Sequence, residues 1–509
     1  MDFSQALNEY MNNAKTGNGD PTYKSSLSPN VDLFAKAGGV RSNNFYSDIS
    51  VNYDFYKRLF LDAINEDANT AIRNLLNIRD FRHDGKGERE LFRELLVELS
   101  DKYPDTTIKL IDTGAVQELG RWDDLVFLYE NTQSRAVKDT VVAVFTRELQ
   151  SEDSLLPKWL PTNTRNKKQY AVAKKLAKDL GYVNFEYYRK DLSRMKKKLN
   201  LVETNLTERN YTAIDVSKLP GRAFQKYKTA LFVNKEEEMK AFLDEVNAGT
   251  KKVKTTGITS NEILKPYTDQ FRGWGDYDVE EVDKDQANLI KASWESLLEN
   301  TKDAGNTLIM ADTSGSMMGT PISVATSLAI LFAQKMAGVF HGKFMTFSSE
   351  PTFINIPDNY SLAQKVQTVI EADWGGSTDI DAAFRAVLDT AVNTSASQED
   401  IPQRIVIISD LQFNQYSFYE QKDTPHISRW KKNFEDAGYK LPDVVYWNVS
   451  TYDNEPAMAT ESGVALISGF TQGTLNAVLS GESITPVSVM MNALNKPEYD
   501  VVDRVVPKQ

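Results

Sequence analysis

Asp312, Ser314 and Ser316 stand at alternate positions in "IMADTSGSMMGTP", directly after an apolar run. Residues two apart share one side of an extended chain, so a carboxylate and two hydroxyls leave a strand end together. Oxygen donors grouped this way suit a hard divalent cation, which favours oxygen ligands and keeps several waters. Gly315 and Gly319 let the backbone bend closely there. Two further segments offer oxygens in the same setting. "DWGGSTDID" carries Thr378 after a Gly-Gly turn, and "RIVIISDLQF" carries Asp410 at the end of the most strand-like stretch of the chain. The competing reading of these side chains is helix capping.

Other chemistries are short of residues. Cysteine is absent, which excludes disulfides, thiolate metal sites and thiol nucleophiles. The three histidines (His83, His341, His426) are far apart, and neither a P-loop nor an H-E-x-x-H motif is present. A cation can act as a Lewis acid, but hydrolysis usually needs a positioned base and a second cationic group. No histidine lies near the motif, so adhesion to an acidic group is the expectation, without catalysis.

The elements that must position these residues divide the chain. Residues 1–50, rich in Asn, Ser and Gly, are expected to form a flexible arm. From residue 51 to 300 the pattern is helical. "DFYKRLFLDAINEDANTAIRNLLNIRDF" repeats apolar residues three and four apart, and further amphipathic segments follow with short breaks. That texture predicts an all-α array or solenoid, although no fixed repeat length is visible. "NAGTKKVKTTGITSNEILKPY" reads as irregular connection or a hairpin. From residue 301 to 509 short apolar strands alternate with helices, and "PTFINI" reads as an antiparallel edge. This order predicts a Rossmann-like α/β domain with a mostly parallel sheet, followed by a C-terminal extension. Ligands of such sheets sit at the carboxyl ends of the strands.

Charge is distributed unevenly. The formal net charge is -12, and 24 acids against 14 bases fall after residue 300. Lys158 to Lys198 holds 13 bases and three acids, a candidate polyanion surface. The N-terminal segment has no signal-peptide pattern and no window is apolar enough for a bilayer span, so a cytoplasmic protein without membrane contact is expected.

Residues 305 to about 480 resemble a von Willebrand factor A domain, and Asp312, Ser314, Ser316, Thr378 and Asp410 match that family's metal-ion-dependent adhesion site. The resemblance implies Mg²⁺ or another divalent cation, bound directly by the hydroxyls and largely through water by the aspartates. One position would stay open for an acidic partner. Upstream, "RDFRHDGKGERELF" and "LGRWDDLVFL" complete a layout that resembles the Ro autoantigen family, a TROVE module followed by an A domain. "LLPKWLPT", "KLPGRAFQKY" and "FEDAGYKLPDVVYWNV" are similar to segments of an uncharacterised plant, virus and bacteriophage family of that layout.

The Ro resemblance implies a ring of HEAT-type helical repeats that binds single-stranded or structured non-coding RNA by shape and charge. The basic residues placed to do so are Lys86, Arg89, Lys167, Lys168, Lys174, Lys175, Arg194, Lys196, Lys197 and Lys198. Trp159, Tyr170, Tyr182, Phe185, Tyr187 and Tyr188 are interleaved and could stack on bases. Lysines at helical spacing also form ordinary solvated faces, and such aromatics also fill cores. The alternative function is a protein-adhesion or assembly factor, viral or virion-associated, that grips an acidic residue through the cation without RNA.

Overall fold

The computed structural model describes residues 11–40, 51–151, 153–162, 165–271, 278–312, 314–346, 350–372, 378–413, 425–450, 455–471, 474, 476 and 484–506. Strands β1 (Asn13–Lys15) and β2 (Pro21–Tyr23) pair antiparallel ahead of helix α1 (Pro29–Lys36). The helical region opens with α2 (Tyr53–Glu66), α3 (Ala68–Arg79), α4 (Arg89–Lys102), α5 (Pro104–Asp112), α6 (Ala115–Leu119) and α7 (Trp122–Asn131). It continues through α8 (Arg135–Leu149), α9 (Leu156–Trp159), α10 (Lys167–Asp179), α11 (Phe185–Lys198) and α12 (Val202–Thr207). Helices α13 (Gly221–Asn234), α14 (Glu236–Asn247), α15 (Ser260–Thr268) and α16 (Lys284–Glu299) complete it.

The expected pair over "DFYKRLFLDAINEDANTAIRNLLNIRDF" is α2 and α3. Asp67 separates them, ending one helix and capping the next by accepting from the Asn69 and Thr70 amides. The stretch read as irregular or a hairpin turns helical from Ser260. A capping box between Thr259 and Glu262 starts α15 there, and Pro266 sits inside it.

The C-terminal part is a six-stranded sheet of β3 (Thr307–Ala311), β4 (Lys343–Met345), β5 (Phe353–Asn355), β6 (Arg404–Ser409), β7 (Asp443–Asn448) and β8 (Val464–Ser468). Its order is β5-β4-β3-β6-β7-β8, parallel except for the β4–β5 pair, as the edge reading of "PTFINI" anticipates. Helices α17 (Thr320–Ala333), α18 (Leu362–Ile370), α19 (Ile380–Thr394) and α20 (His426–Asp436) connect the strands. Helix α21 (Pro486–Leu494) and a 3-10 helix (Pro497–Arg504) follow β8. The chain lays β4 and β5 on one side of β3, then returns to place β6 on the other. The gap between β3 and β6 is therefore the topological switch point, where the carboxyl ends of two strands open a crevice.

The flexible arm expected over residues 1–50 is, in its described part, built into the core. Val31 and Phe34 of α1 belong to the apolar cluster around the sheet, while Leu33 of the same helix belongs to the cluster of the helical region. An apolar helix with two opposite packing partners has no solvated face to leave it loose. Helices α15 and α16 likewise pack into the sheet cluster through Ile263, Tyr267 and Trp294, so the sequence boundary near residue 300 is not a boundary in space. At the other end, the 3-10 helix returns to the helical region. Tyr499 donates to Asp80 at 3.0 Å, and buried Arg73 reaches Asp503 at 2.8 Å. Among the described residues no helix is long and apolar enough to cross a membrane.

Phe34 is 1% exposed and also carries the Lys86 ammonium 4.1 Å above its ring. Phe34→Ala is expected to cost about 3–5 kcal/mol, from lost burial and a cavity at the junction of the two parts. Thermal unfolding checks this, with a large drop in midpoint expected for Phe34→Ala and a small one for a conservative Phe34→Leu.

Candidate metal centre

Strands β3 and β6 pair in register from Thr307–Arg404 to Ala311–Ile408, so Asp312, just past the end of β3, lies beside Ser409, the last residue of β6. The Asp312 amide still donates to the Ile408 carbonyl at 2.9 Å, which extends the ladder into the site. Its carboxylate accepts from the Ser314 amide at 2.9 Å through Oδ1 and from the Ser409 hydroxyl at 2.5 Å through Oδ2. The Ser314 and Ser316 hydroxyls lie 3.0 Å apart. Gly319, at φ 100°, then turns the chain into α17, a conformation that a side chain would strain.

Asp410 follows directly from β6. Its Oδ1 accepts from the Gln412 amide at 3.1 Å, whereas Oδ2 is buried with no hydrogen-bond donor aligned on it among the described residues. Between these two residues Leu411 takes φ 62°, left-handed backbone that a branched side chain adopts only under constraint. The Thr378 hydroxyl, on the loop before α19, donates to the Gln412 carbonyl at 3.2 Å. Thus Thr378 is tied to the residue that also holds Asp410. Residues 373–377 before it lie outside the described residues, as does Thr313.

Electrostatics at this edge are unfavourable without a counter-charge. Burial raises the Asp312 carboxyl above its ordinary range, and the Ser314 and Ser409 hydrogen bonds oppose the rise. Burial pushes the Asp410 carboxyl up to about 7, the nearby charge of Asp312 adds to it, and the Ser316 hydroxyl opposes it. Two adjacent carboxylates 1% and 0% exposed, together with hydroxyls from two loops, form an oxygen-only donor set. That donor set fits a small hard cation and suits neither a soft metal nor an anion.

The basic residues fall in different settings. Lys86 is buried, its ammonium donating to the Ser468 carbonyl at 3.1 Å and to the Ser468 hydroxyl at 3.3 Å. Burial pushes its pKa down to about 7, and as placed it cannot meet a nucleic acid. Arg89 is partly exposed and pairs with Glu90 at 2.6 Å. Lys167, Lys168, Lys174 and Lys175 are exposed on α10, and Arg194, Lys197 and Lys198 on α11, while Lys196 is partly buried. Lys168, Arg194 and Lys197 reach Glu130, Asp191 and Glu208 at 3.2, 2.6 and 3.1 Å. Of the interleaved aromatics, Tyr188 is buried and stacks on Phe185, and Phe185 also meets Tyr170 edge-on. Tyr182 packs against Tyr188, and Trp159 lies under the Arg121 guanidinium. Tyr187 remains, 61% exposed, as the aromatic open to a base.

A family model described as a domain of unknown function, DUF2828, matches residues 16–118 and 153–307, just over half of the chain. The chain belongs to that family. A second model, the domain of unknown function DUF7788, matches residues 306–503 of this DUF2828 protein, from the foot of β3 into the final 3-10 helix. An uncharacterized protein of Acanthamoeba polyphaga mimivirus is 28% identical over 523 aligned residues, spanning 94% of this chain and 86% of that relative. The crystal structure of the Deinococcus radiodurans Ro (RSR) protein is similar over 92% of this chain and 99% of that one. Its identity of 13% and TM-score of 0.47 are too low to carry fold or function across.

Two residues at the centre of this site, which lies in the segment matched by DUF7788, are not evident from its motifs. Ser409 anchors Asp312, and its only signal is the Ser-Asp pair closing "RIVIISD". Gln412 joins the Asp410 and Thr378 loops through its backbone, which no residue type announces.

Raised carboxyl pKa values mean that the folded protein binds more protons than the unfolded chain between about pH 4 and pH 7. The contribution of these two carboxyls to stability therefore falls as pH rises through that window and is lowest above it. In EDTA, the unfolding midpoint is expected to drop from pH 5 to pH 8. Asp410→Asn, which removes one charge from the pair, should shrink that drop and raise the midpoint at pH 8.

Proposed function

We propose that this chain is a non-enzymatic, divalent-cation-dependent binding protein with a basic RNA-binding face on its helical region. In this reading Asp312, Ser314, Ser316, Thr378 and Asp410 hold Mg²⁺ or a similar ion. The hydroxyls act as direct ligands and the aspartates largely through water, and an acidic group of a partner completes the shell. The observation that supports the reading is the pair of adjacent carboxylates buried at the switch point, whose ionised forms burial opposes and whose charges repel each other. A divalent ion between the loops supplies the missing positive charge. The motif resemblance to von Willebrand A domains supports the same assignment.

RNA binding rests on the resemblance to the Ro layout and on the exposed lysines of α10 and α11 beside Tyr187. The protein-adhesion reading draws on other observations, namely the buried position of Lys86 and the acid partners of Lys168, Arg194 and Lys197. In that case the acidic group gripped by the cation belongs to a protein and RNA plays no part.

Calorimetric titration of the EDTA-treated protein with Mg²⁺ or Mn²⁺ tests the first element. Saturable binding at one site is expected, abolished by Asp312→Ala, and no heat in the wild-type protein would remove the proposal. Fluorescence anisotropy with a single-stranded RNA tests the second. Affinity should fall steeply between about 50 and 200 mM salt, and Lys174→Glu with Lys175→Glu should weaken it on the order of tenfold. Absence of RNA binding, with cation binding intact, selects the protein-adhesion reading.

A further inference from the structure

The turn of the β1–β2 hairpin lies on the loop that carries Asp410. The Thr16 hydroxyl donates to the Phe413 carbonyl at 2.7 Å, the Gly17 amide to Gln412 Oε1 at 2.7 Å, and Asn18 Nδ2 to the Gln412 carbonyl at 2.6 Å. Nearly four hundred residues of sequence separate these partners, so the contact is tertiary and specific. Gln412 is the junction of the candidate metal centre. Its amide holds Asp410 and its carbonyl takes the Thr378 hydroxyl, which ties together two loops that must converge for one ion to be bound.

The hairpin is anchored a second time. Asp20, next to the turn, faces the Arg429 guanidinium at 3.4 Å, and Arg429 holds Asp381 at 2.8 Å. Asp381 lies in the first turn of α19, three residues after Thr378. One N-terminal segment therefore grips both the Asp410 loop directly and the Thr378 loop through its helix. Leu411, at φ 62°, sits between the gripped residue and Asp410, in a conformation that persists only where its surroundings fix it. A Cβ at Gly17 would lie 2.7 Å from Gln412 Oε1, so the Gln412 side chain would have to leave its bond to the Gly17 amide.

We infer that Thr16, Gly17 and Asn18 are positioning residues for the cation site, acting through Gln412 to hold Asp410 and Thr378 at ligating distance. The hairpin thereby works as a strap, and its docking sets the affinity for the ion. This rests on the cation reading of the site. It predicts that cation affinity depends on an N-terminal segment that supplies no ligand itself.

The test uses the full chain and Mn²⁺ as the probe, followed by calorimetry and by the paramagnetic resonance of free Mn²⁺, with folding checked by circular dichroism. Asn18→Ala and Gly17→Ala are each expected to weaken Mn²⁺ binding at least several-fold. In a Gln412→Ala background, Gly17→Ala should have no further effect, because the side chain it displaces is gone. That non-additivity, read in Mn²⁺ affinity, is a signature a purely stabilising role does not produce. Should Gly17→Ala fail to fold, Asn18→Leu decides by its own loss of Mn²⁺ affinity, since it keeps the shape and removes the donor to the Gln412 carbonyl. Equal Mn²⁺ affinity in the wild-type protein and the variants, or additive effects of Gly17→Ala with Gln412→Ala, overturns the strap and leaves the cation site standing. No Mn²⁺ binding by the wild-type protein overturns both.

Discussion

Two carboxylates buried next to each other at the carboxyl ends of adjacent strands set the terms for everything around them. Asp312 and Asp410 leave β3 and β6 one residue out of step, in a crevice too dry for either charge to be stabilised by water. Isolated buried charge is costly, and like charges at close range make it worse. The protein answers with hydrogen bonds to Asp312 from the Ser314 amide and the Ser409 hydroxyl, and to Asp410 from the Gln412 amide and the Ser316 hydroxyl. Those hydrogen bonds oppose the rise that burial imposes on both carboxyls without cancelling it.

The rest of the architecture bears on that crevice. Placing β3 and β6 side by side requires the chain to run out to β4 and β5 and come back, and this excursion creates the opening. The N-terminal hairpin and α1 then cross to the sheet before the helical region begins, while the final 3-10 helix returns from the sheet to α3. Chain ends exchanged in this way lock the two regions, with Lys86 as a further fastening. Its buried ammonium is compensated by Ser468 at the end of β8 and by the ring of Phe34. Movement of the helical region against the sheet would have to break these contacts, so the two parts are coupled in a way that a linear domain division does not suggest.

Much of this is legible in the residues, and the remainder fails for definite reasons. Helices α2 and α3, the parallel strands and the antiparallel β5 follow from apolar spacing, because burial of one face dictates the period. Asp312 and Asp410 stand out in the sequence because a carboxylate directly after an apolar run is unusual, whereas Thr378 is marked only by the Gly-Gly turn before it. Helix α15 was missed since its Thr- and Lys-rich approach and Pro266 mimic a loop, while a capping box and packing on the sheet override them. Residues 11–40 read as loose because β1 and β2 are three residues each and their hairpin is held by Glu455, Gln412 and Phe413, far away in sequence, through Tyr23, Gly17 and Thr16. A lysine in a Gly-Lys-Gly turn is ordinarily solvated, and nothing local signals that Ser468 and Phe34 enclose Lys86.

The central claim is that oxygens from three loops surround one hard cation. Anomalous diffraction from crystals of the protein soaked in Mn²⁺ examines it most directly. The account predicts a single strong peak within about 2.0–2.3 Å of the Ser314 and Ser316 hydroxyl oxygens, with Asp410 Oδ2 turned toward it or toward a water on the ion. An empty crevice at saturating Mn²⁺, with Asp410 protonated and hydrogen-bonded to a protein acceptor instead, would contradict it.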